Sequence, residues 1–143
     1  KLCQQVASQL ALLAKEKGIT LQSRIDEHLQ LWGDEAALHR VLVIILDNAL
    51  KYSPADTTIN FNASKSKQGL LIAVQDQGCG ISDEDKEKVF DRFYRVDKAR
   101  SRSQGGLGLG LSLALAITRQ HHGEIKIFDN KPGGTIMMVL LPM

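Results

Sequence analysis

The sequence predicts an α+β sandwich, with helices over one face of a sheet that is at least partly antiparallel. Three observations predict it. Apolar residues recur at helical spacing over residues 1–17, 35–52 and 108–121. About five other segments alternate or run apolar over strand lengths. The last two of these, 124–128 and 135–140, are joined through the turn-like Lys131-Pro132-Gly133-Gly134, a short connection that suits an antiparallel hairpin. A doubly wound fold would need a helix there instead.

Taken in order, Leu2, Val6, Leu10 and Leu13 form one stripe on a first helix, which Gly18 can end. Residues 19–33 read as one or two short strands, with Ile19, Leu21 and Ile25 pointing one way. Asp34 is a plausible N-cap for helix 35–52, whose buried face holds Leu38, Leu42, Ile45 and Ala49 and which Ser53-Pro54 stops. Ile59 and Phe61 share one face of the next strand, and Leu70–Val74 is a continuous apolar strand that delivers Asp76 at its end. After the turn Gln77-Gly78-Cys79-Gly80, Ser82 can cap a short charged helix over 83–91, with Glu84, Lys88, Arg92 and Arg95 on its solvated side. Residues 97–106 lack apolar periodicity and read as a mobile loop, and 96–106 are expected to be mobile without a ligand. Helix 108–121 ends at His121-His122, where a cation is mildly favoured, and Gly123 breaks it.

Composition narrows the classes. The 143 residues fit one domain, 1–143, and 43% apolar with 24% charged residues excludes disorder. A net charge of +2 supports no nucleic-acid partner, which would call for a concentrated basic face. Cys3 and Cys79 form neither a disulfide framework nor a metal site, and no apolar run reaches the length of a membrane span. No secretory signal opens the chain, and a start at Lys1 reads as a piece of a longer protein.

Three blocks can carry chemistry. Asn48 interrupts a very apolar helix, and Ile44, Asn48, Lys51 and Tyr52 fall on one side of it. A carboxamide can ligate a hard cation or donate, although a structural hydrogen bond is the commoner use. Asp76 precedes Gly78 and Gly80, so a carboxylate at a strand end can accept from an exocyclic amine where the backbone admits close approach. A plain Asp-started turn explains that pattern equally well. Gly105, Gly106, Gly108 and Gly110 lead into a helix, and can offer free N–H groups and the positive helix end to phosphates. Glycines costing about 1 kcal/mol each in a helix are odd as filler. The block is neither a Walker A loop nor a convincing Rossmann fingerprint. Arg92, Arg95, Arg100 or Arg102 could reach a phosphate, but a solvated face is the simpler reading.

These blocks, in this order, resemble the catalytic ATP-binding domain of bacterial sensor histidine kinases, within the wider gyrase, Hsp90 and MutL type of ATPase. LDNALKYS resembles that family's N box and DQGCGI its first glycine box. VFDRFYRVDKARSR resembles the F box and the start of the ATP lid, GGLGLGL the second glycine box, and GGTIMMVLLP the final strand. The resemblance covers nearly the whole chain. It implies a Bergerat-type two-layer sandwich, three helices on a mixed sheet of about five strands, with ATP and Mg2+ under a flexible lid. It further implies that Asn48 ligates Mg2+, that Lys51 contacts phosphate (these two being the catalytic pair), and that Tyr52 lines the pocket. Asp76 would accept from the adenine amine, with Gly78, Gly80 and Ile81 beside the base. Arg92, Tyr94 and Arg95 would lie at the lid base. Gly106, Leu107, Gly108, Leu109 and Gly110 would admit the triphosphate, and Thr135 would complete the cofactor contacts.

Two features depart from that pattern. The slot four residues before Asn48, where the family has an amide and related ATPases a water-activating glutamate, holds Ile44, so little hydrolysis to water is expected. None of His28, His39, His121 and His122 has a phosphoacceptor context. The implied acceptor is then a histidine on a separate dimerisation domain of the same protein, with a response regulator beyond it. The implied place is a cytoplasmic domain, monomeric in isolation, of a parent in the bacterial membrane. An anti-sigma-type protein-serine kinase and a nucleotide-gated binding module without turnover are the competing readings.

Overall fold

The computed structural model describes residues 2–26, 33–78, 80–90, 110–130 and 133–142. Among these, four helices and five strands follow one another as α1 (Leu2–Glu16), β1 (Thr20–Ile25), α2 (Glu35–Tyr52), β2 (Thr58–Ser66), β3 (Gly69–Gln75), α3 (Asp83–Lys88), α4 (Gly110–Gln120), β4 (Glu124–Asp129) and β5 (Thr135–Leu141). The five strands form one sheet in the order β1-β2-β3-β5-β4. β1 and β2 are parallel and joined across α2, while every other neighbouring pair is antiparallel. That makes the sheet mixed and the fold the α+β sandwich expected.

Register explains the core. Phe61 pairs with Val74 and Val74 with Met137, while Ala63 pairs with Ile72 and Ile72 with Val139. Because side chains alternate, these rows all face the same way. They are buried with Ile59, Leu70 and Leu141 against Val6 and Leu10 of α1, Leu42, Ile45, Leu46 and Ala49 of α2, and Ala114 and Ile117 of α4. α2 lies between α1 and α4, so the element carrying Asn48 is the centre of the helical layer.

Local signals behave as the residues dictate, with three corrections. Asp34 does cap α2, accepting from the Ala37 N–H (3.2 Å), and Ser53 is extended before Pro54. Ser82 accepts from the Asp85 N–H to start α3. Leu13, however, is 44% exposed, and Ala14, fully buried, occupies the inward position of the stripe. The helix expected over 83–91 ends at Lys88. At the end of α4 it is His122, not Gly123, that takes positive φ (62°). Its N–H donates to Arg119 O and the Gly123 N–H to Thr118 O, the closure that Gly18 and Ile19 make after α1. Gly123 is required for space: a Cβ there would lie 2.3 Å from Leu140 O.

Candidate functional site

Asp76 stands at the exit of β3 and is 9% exposed. Its backbone N–H donates to Thr135 O (2.9 Å). Its Oδ1 accepts from the N–H groups of Gly78 (3.0 Å) and Thr135 (3.1 Å). Its carbonyl accepts from Asn130 Nδ2 (2.7 Å). Among the described residues Oδ2 receives no hydrogen bond, which leaves one carboxylate oxygen able to accept from a ligand. Burial pushes the Asp76 carboxyl above its ordinary value, and the bonds from Gly78 and Thr135 pull the other way.

The flank of α2 beside this strand end carries Ile44, Asn48, Lys51 and Tyr52, all half-buried along one edge of the helix. Tyr52 ends the helix close to the turn after Asp76: a Cβ on Gly78 would come within 2.3 Å of Tyr52 O. Gly78 therefore packs backbone against backbone, in addition to any room it leaves for a base. Lys51 Nζ lies 3.2 Å from Asp47 Oδ2, one turn earlier. Ile44 faces the start of α4, where a Cβ on Gly110 would meet Ile44 Cγ2 at 3.4 Å. Asn48 and Gly110 are thus brought to the same end of the helical layer.

Gly80 has φ +77° and faces Gly134 O, Ile81 is half-buried beside it, and Thr135 is 6% exposed. Asp76, Gly78, Gly80 and Thr135 consequently meet at one place, next to the α2 edge. Arg92, Tyr94, Arg95, Gly106, Leu107, Gly108 and Leu109, with Cys79 and the loop 96–106, lie outside the described residues. Near this end Lys86 of α3 bridges Asp129 (2.7 Å) and Asp83 (2.8 Å), and the bonds to Asp129 and then Asp83 hold its ammonium above the ordinary lysine range.

A hard cation finds one neutral oxygen on α2, the Asn48 carboxamide, and an apolar Ile44 one turn earlier. No group of three His, Cys, Asp or Glu side chains able to hold a metal exists among the described residues. Such a donor set fits Mg2+, which keeps waters and takes phosphate oxygens as ligands, and does not fit an ion that needs a full protein cage.

Two contributors escaped sequence reasoning. Asn130 and Gly134 flank the β4–β5 turn and hold Asp76 from the far side. A Cβ on Gly134 would lie 2.0 Å from Asp76 O. The doubled glycine of KPGGT marked a turn, but nothing in the spacing points from residue 130 to residue 76. His121 has a role the sequence did not suggest. Its Nε2 accepts from the Asp34 N–H (3.0 Å) and its Nδ1 lies 2.9 Å from Ile117 O, tying the end of α4 to the start of α2.

Residues 33–143 match the family described as histidine kinase-, DNA gyrase B- and HSP90-like ATPases. Among curated relatives, the sensor protein CiaH of Streptococcus pneumoniae is 44% identical over 128 residues, 90% of this chain and 29% of its own length. The sensor histidine kinase WalK of Bacillus subtilis is 43% identical over 119 residues, 82% of this chain and 20% of its own. The chain thus spans less than a third of these two relatives. Among solved structures, the mycobacterial sensor histidine kinase MprB superposes with a TM-score of 0.82 at 27% identity, covering 97% of this chain and 93% of that one. The catalytic domain of the histidine kinase ThkA shares the fold, with a TM-score of 0.86 at 24% identity, over 99% of this chain and 90% of that one. With a sheet, a helical layer and an Asp76 corner of this form, and a family match over most of its length, the chain belongs to the histidine kinase-, DNA gyrase B- and HSP90-like ATPases.

Proposed function

We propose that residues 1–143 form, as one domain, the catalytic ATP-binding domain of a sensor histidine kinase, which donates the γ-phosphoryl group to a histidine on a separate dimerisation domain. The observation that carries this is a buried Asp76, fixed by backbone bonds beside the Asn48–Tyr52 edge of α2, whose Oδ2 is unshared among the described residues. Asp76 accepts from the adenine amine, and Gly78, Gly80, Ile81, Tyr52 and Thr135 surround the base. Lys51 exchanges its pairing with Asp47 for phosphate, and Asn48 holds Mg2+. That ion, when bound, neutralises phosphate charge. The N-terminal end of α4 at Gly110, with Gly106, Leu107, Gly108 and Leu109 before it, receives the triphosphate. Arg92, Tyr94 and Arg95 belong to the lid base.

In the reaction a neutral imidazole nitrogen of the partner domain attacks the γ-phosphorus. The bond to the β–γ bridging oxygen breaks, and ADP carries away the electron pair. No general base from this chain is needed, because that nitrogen is nucleophilic as it stands. This chain contributes positioning and charge neutralisation, and positioning alone can supply about 7–11 kcal/mol of a barrier. Ile44 carries no group that could activate water, so hydrolysis is slow. A response regulator takes the phosphoryl group onward, and the parent protein places this domain on the cytoplasmic side of a membrane. No described helix is itself long and apolar enough to cross one.

The test is radiolabel incorporation from γ-labelled ATP, with and without the histidine-bearing domain. Acid-labile label on that domain, and none on this chain alone, is the expected result. A second reading, a nucleotide-binding module without turnover, is favoured by Ile44 and predicts ATP binding with no transfer in either mixture.

A further inference from the structure

We propose that Asn130 is a positioning residue for base recognition: its carboxamide holds the Asp76 backbone so that Oδ2 stays presented to the adenine amine. The inference rests on the reading of Asp76 just given. Among the described residues Asp76 makes four hydrogen bonds, and three of them involve backbone groups, of Gly78 two positions on and of Thr135 at the entrance of β5. The fourth is the side-chain bond from Asn130 Nδ2 to Asp76 O, across 54 positions of sequence. Its polarity is fixed chemically, since a carbonyl can only accept, so the Asn130 NH2 must be the group that faces it.

An Asn at the start of a turn commonly accepts from the backbone N–H two residues on, but that residue here is Pro132, which has none. The Asn130 backbone N–H donates to Gly134 O (3.2 Å), and its side chain reaches Asp76. Gly134 makes that reach possible by letting the β5 entrance lie against the Asp76 carbonyl. The preceding residue, Asp129, is tied to Lys86 of α3 and pairs with Thr135. The end of β4 is thus anchored on both sides, and Asn130 converts that anchoring into a fixed orientation of the carboxylate.

The test pairs Asn130→Asp with Asn130→Ala and titrates ATP calorimetrically into each, into the unaltered chain and into Asp76→Asn. Asp serves a turn as well as Asn but cannot donate when ionised. Both variants are expected to lose about two- to tenfold in ATP affinity, Asp no less than Ala. On the Asp76→Asn background the same changes are expected to cost under about twofold, because the contact they orient is already gone. In the unaltered chain the Asn130 side-chain amide resonances should shift on adding ATP, a readout that needs no variant to fold. Normal binding by Asn130→Asp, or full additivity with Asp76→Asn, would overturn the proposal while leaving the functional reading intact. Absence of ATP binding by the unaltered chain would defeat that functional reading instead.

Discussion

The two hairpins of the sheet are built from the same parts and put them to different use. In the β2–β3 hairpin, Ser66 pairs with Gly69 across two residues. Ser66 Oγ donates to Gly69 O (2.9 Å) and accepts from the Gln68 N–H (3.3 Å). Both of these side-chain bonds stay within the turn. In the β4–β5 hairpin, Asp129 pairs with Thr135, and the Asn130 N–H donates to Gly134 O across the turn. The Asn130 side chain and the Thr135 N–H go to Asp76. Each hairpin also has a glycine at positive φ that abuts a carbonyl. A Cβ on Gly69 would lie 2.3 Å from Leu141 O, and one on Gly134 would lie 2.0 Å from Asp76 O. Close approach through glycine is therefore a structural device common to both, and the hairpins differ in the strand end being approached.

The largest expected effect comes from substituting those glycines. Gly134→Ala and Gly69→Ala each impose positive φ on a side-chain residue and drive a methyl into backbone. Each should cost about 3 kcal/mol or more in urea unfolding. Their consequences for binding should differ. At a temperature where both remain folded, Gly134→Ala should lose most ATP affinity and Gly69→Ala little. Equal losses would break the comparison, since the β4–β5 turn would then have no special link to the site.

Next in size is Asp76→Asn, which keeps the shape and removes the charge. A charge-assisted bond contributes roughly 1.5–3 kcal/mol, so ATP affinity should fall about ten- to a hundredfold. An unchanged affinity would remove Asp76 from base recognition. The pH dependence carries its own sign. Burial raises the Asp76 carboxyl in the folded chain, so the folded state binds that proton more tightly than the unfolded state does. Its contribution to stability is therefore greatest below the unfolded carboxyl value, declines as pH rises through the folded one, and then levels off. Asp83, held low by its hydrogen bond to Lys86, acts in the opposite sense: its contribution is present above the unfolded value and lost on acidification. Subtracting the Asp76→Asn stability profile from that of the unaltered chain isolates the first trend, and a difference that rises with pH would contradict it.

Legibility followed the range of the interaction. The helices, strands and caps at Asp34 and Ser82 could be read because apolar spacing and capping are local. The fold class could be read because so short a connection between the last two strands admits few strand arrangements. Leu13 was misplaced because spacing cannot tell which of two adjacent apolar residues, Leu13 or Ala14, faces the crowded groove against α2. At the candidate site, the placing of Asp76 at a strand end, of Gly78 in the turn after it and of Asn48 on a helix could be read from the local pattern. Asn130, Gly134 and the bond from Asp34 to His121 could not, since each joins segments 54 to 87 residues apart. A sequence records such partners only as unremarkable turn or helix-end residues.

His122 sharpens the hairpin comparison by separating two costs. It holds φ at 62° as an exposed side chain after α4. His122→Gly relieves that conformation and keeps the backbone N–H that donates to Arg119 O, within the end of α4. A gain of about 1 kcal/mol in unfolding free energy is expected, with ATP affinity unchanged. That value measures the strain of the left-handed helical region by itself, so whatever Gly69→Ala and Gly134→Ala lose beyond it belongs to their larger φ, 137° and 121°, together with the collision with the carbonyl. No gain, or a loss, would mean that His122 contributes something its backbone does not explain.

The smallest effect expected is that of Ser66→Ala, on the hairpin that serves only itself. The variant removes the Ser66 hydroxyl and with it the bonds to Gly69 O and from the Gln68 N–H. The turn is partly open to water, which can replace both partners, so the loss should be about 0.5–1 kcal/mol. β2 and β3 remain paired from Asn60 with Gln75 onward, and the register that places Asp76 is set by the buried rows through Phe61 and Val74, at the other end of the hairpin. ATP affinity should therefore stay within about 1.5-fold of the unaltered chain, a change under the roughly 1.4 kcal/mol that marks a factor of ten. Paired urea unfolding and ATP titration measure both quantities on one preparation. A fivefold or greater loss of affinity would show that disturbance travels along β3 from the Ser66 turn to Asp76. The contrast between a hairpin that holds the site and one that does not would then fail.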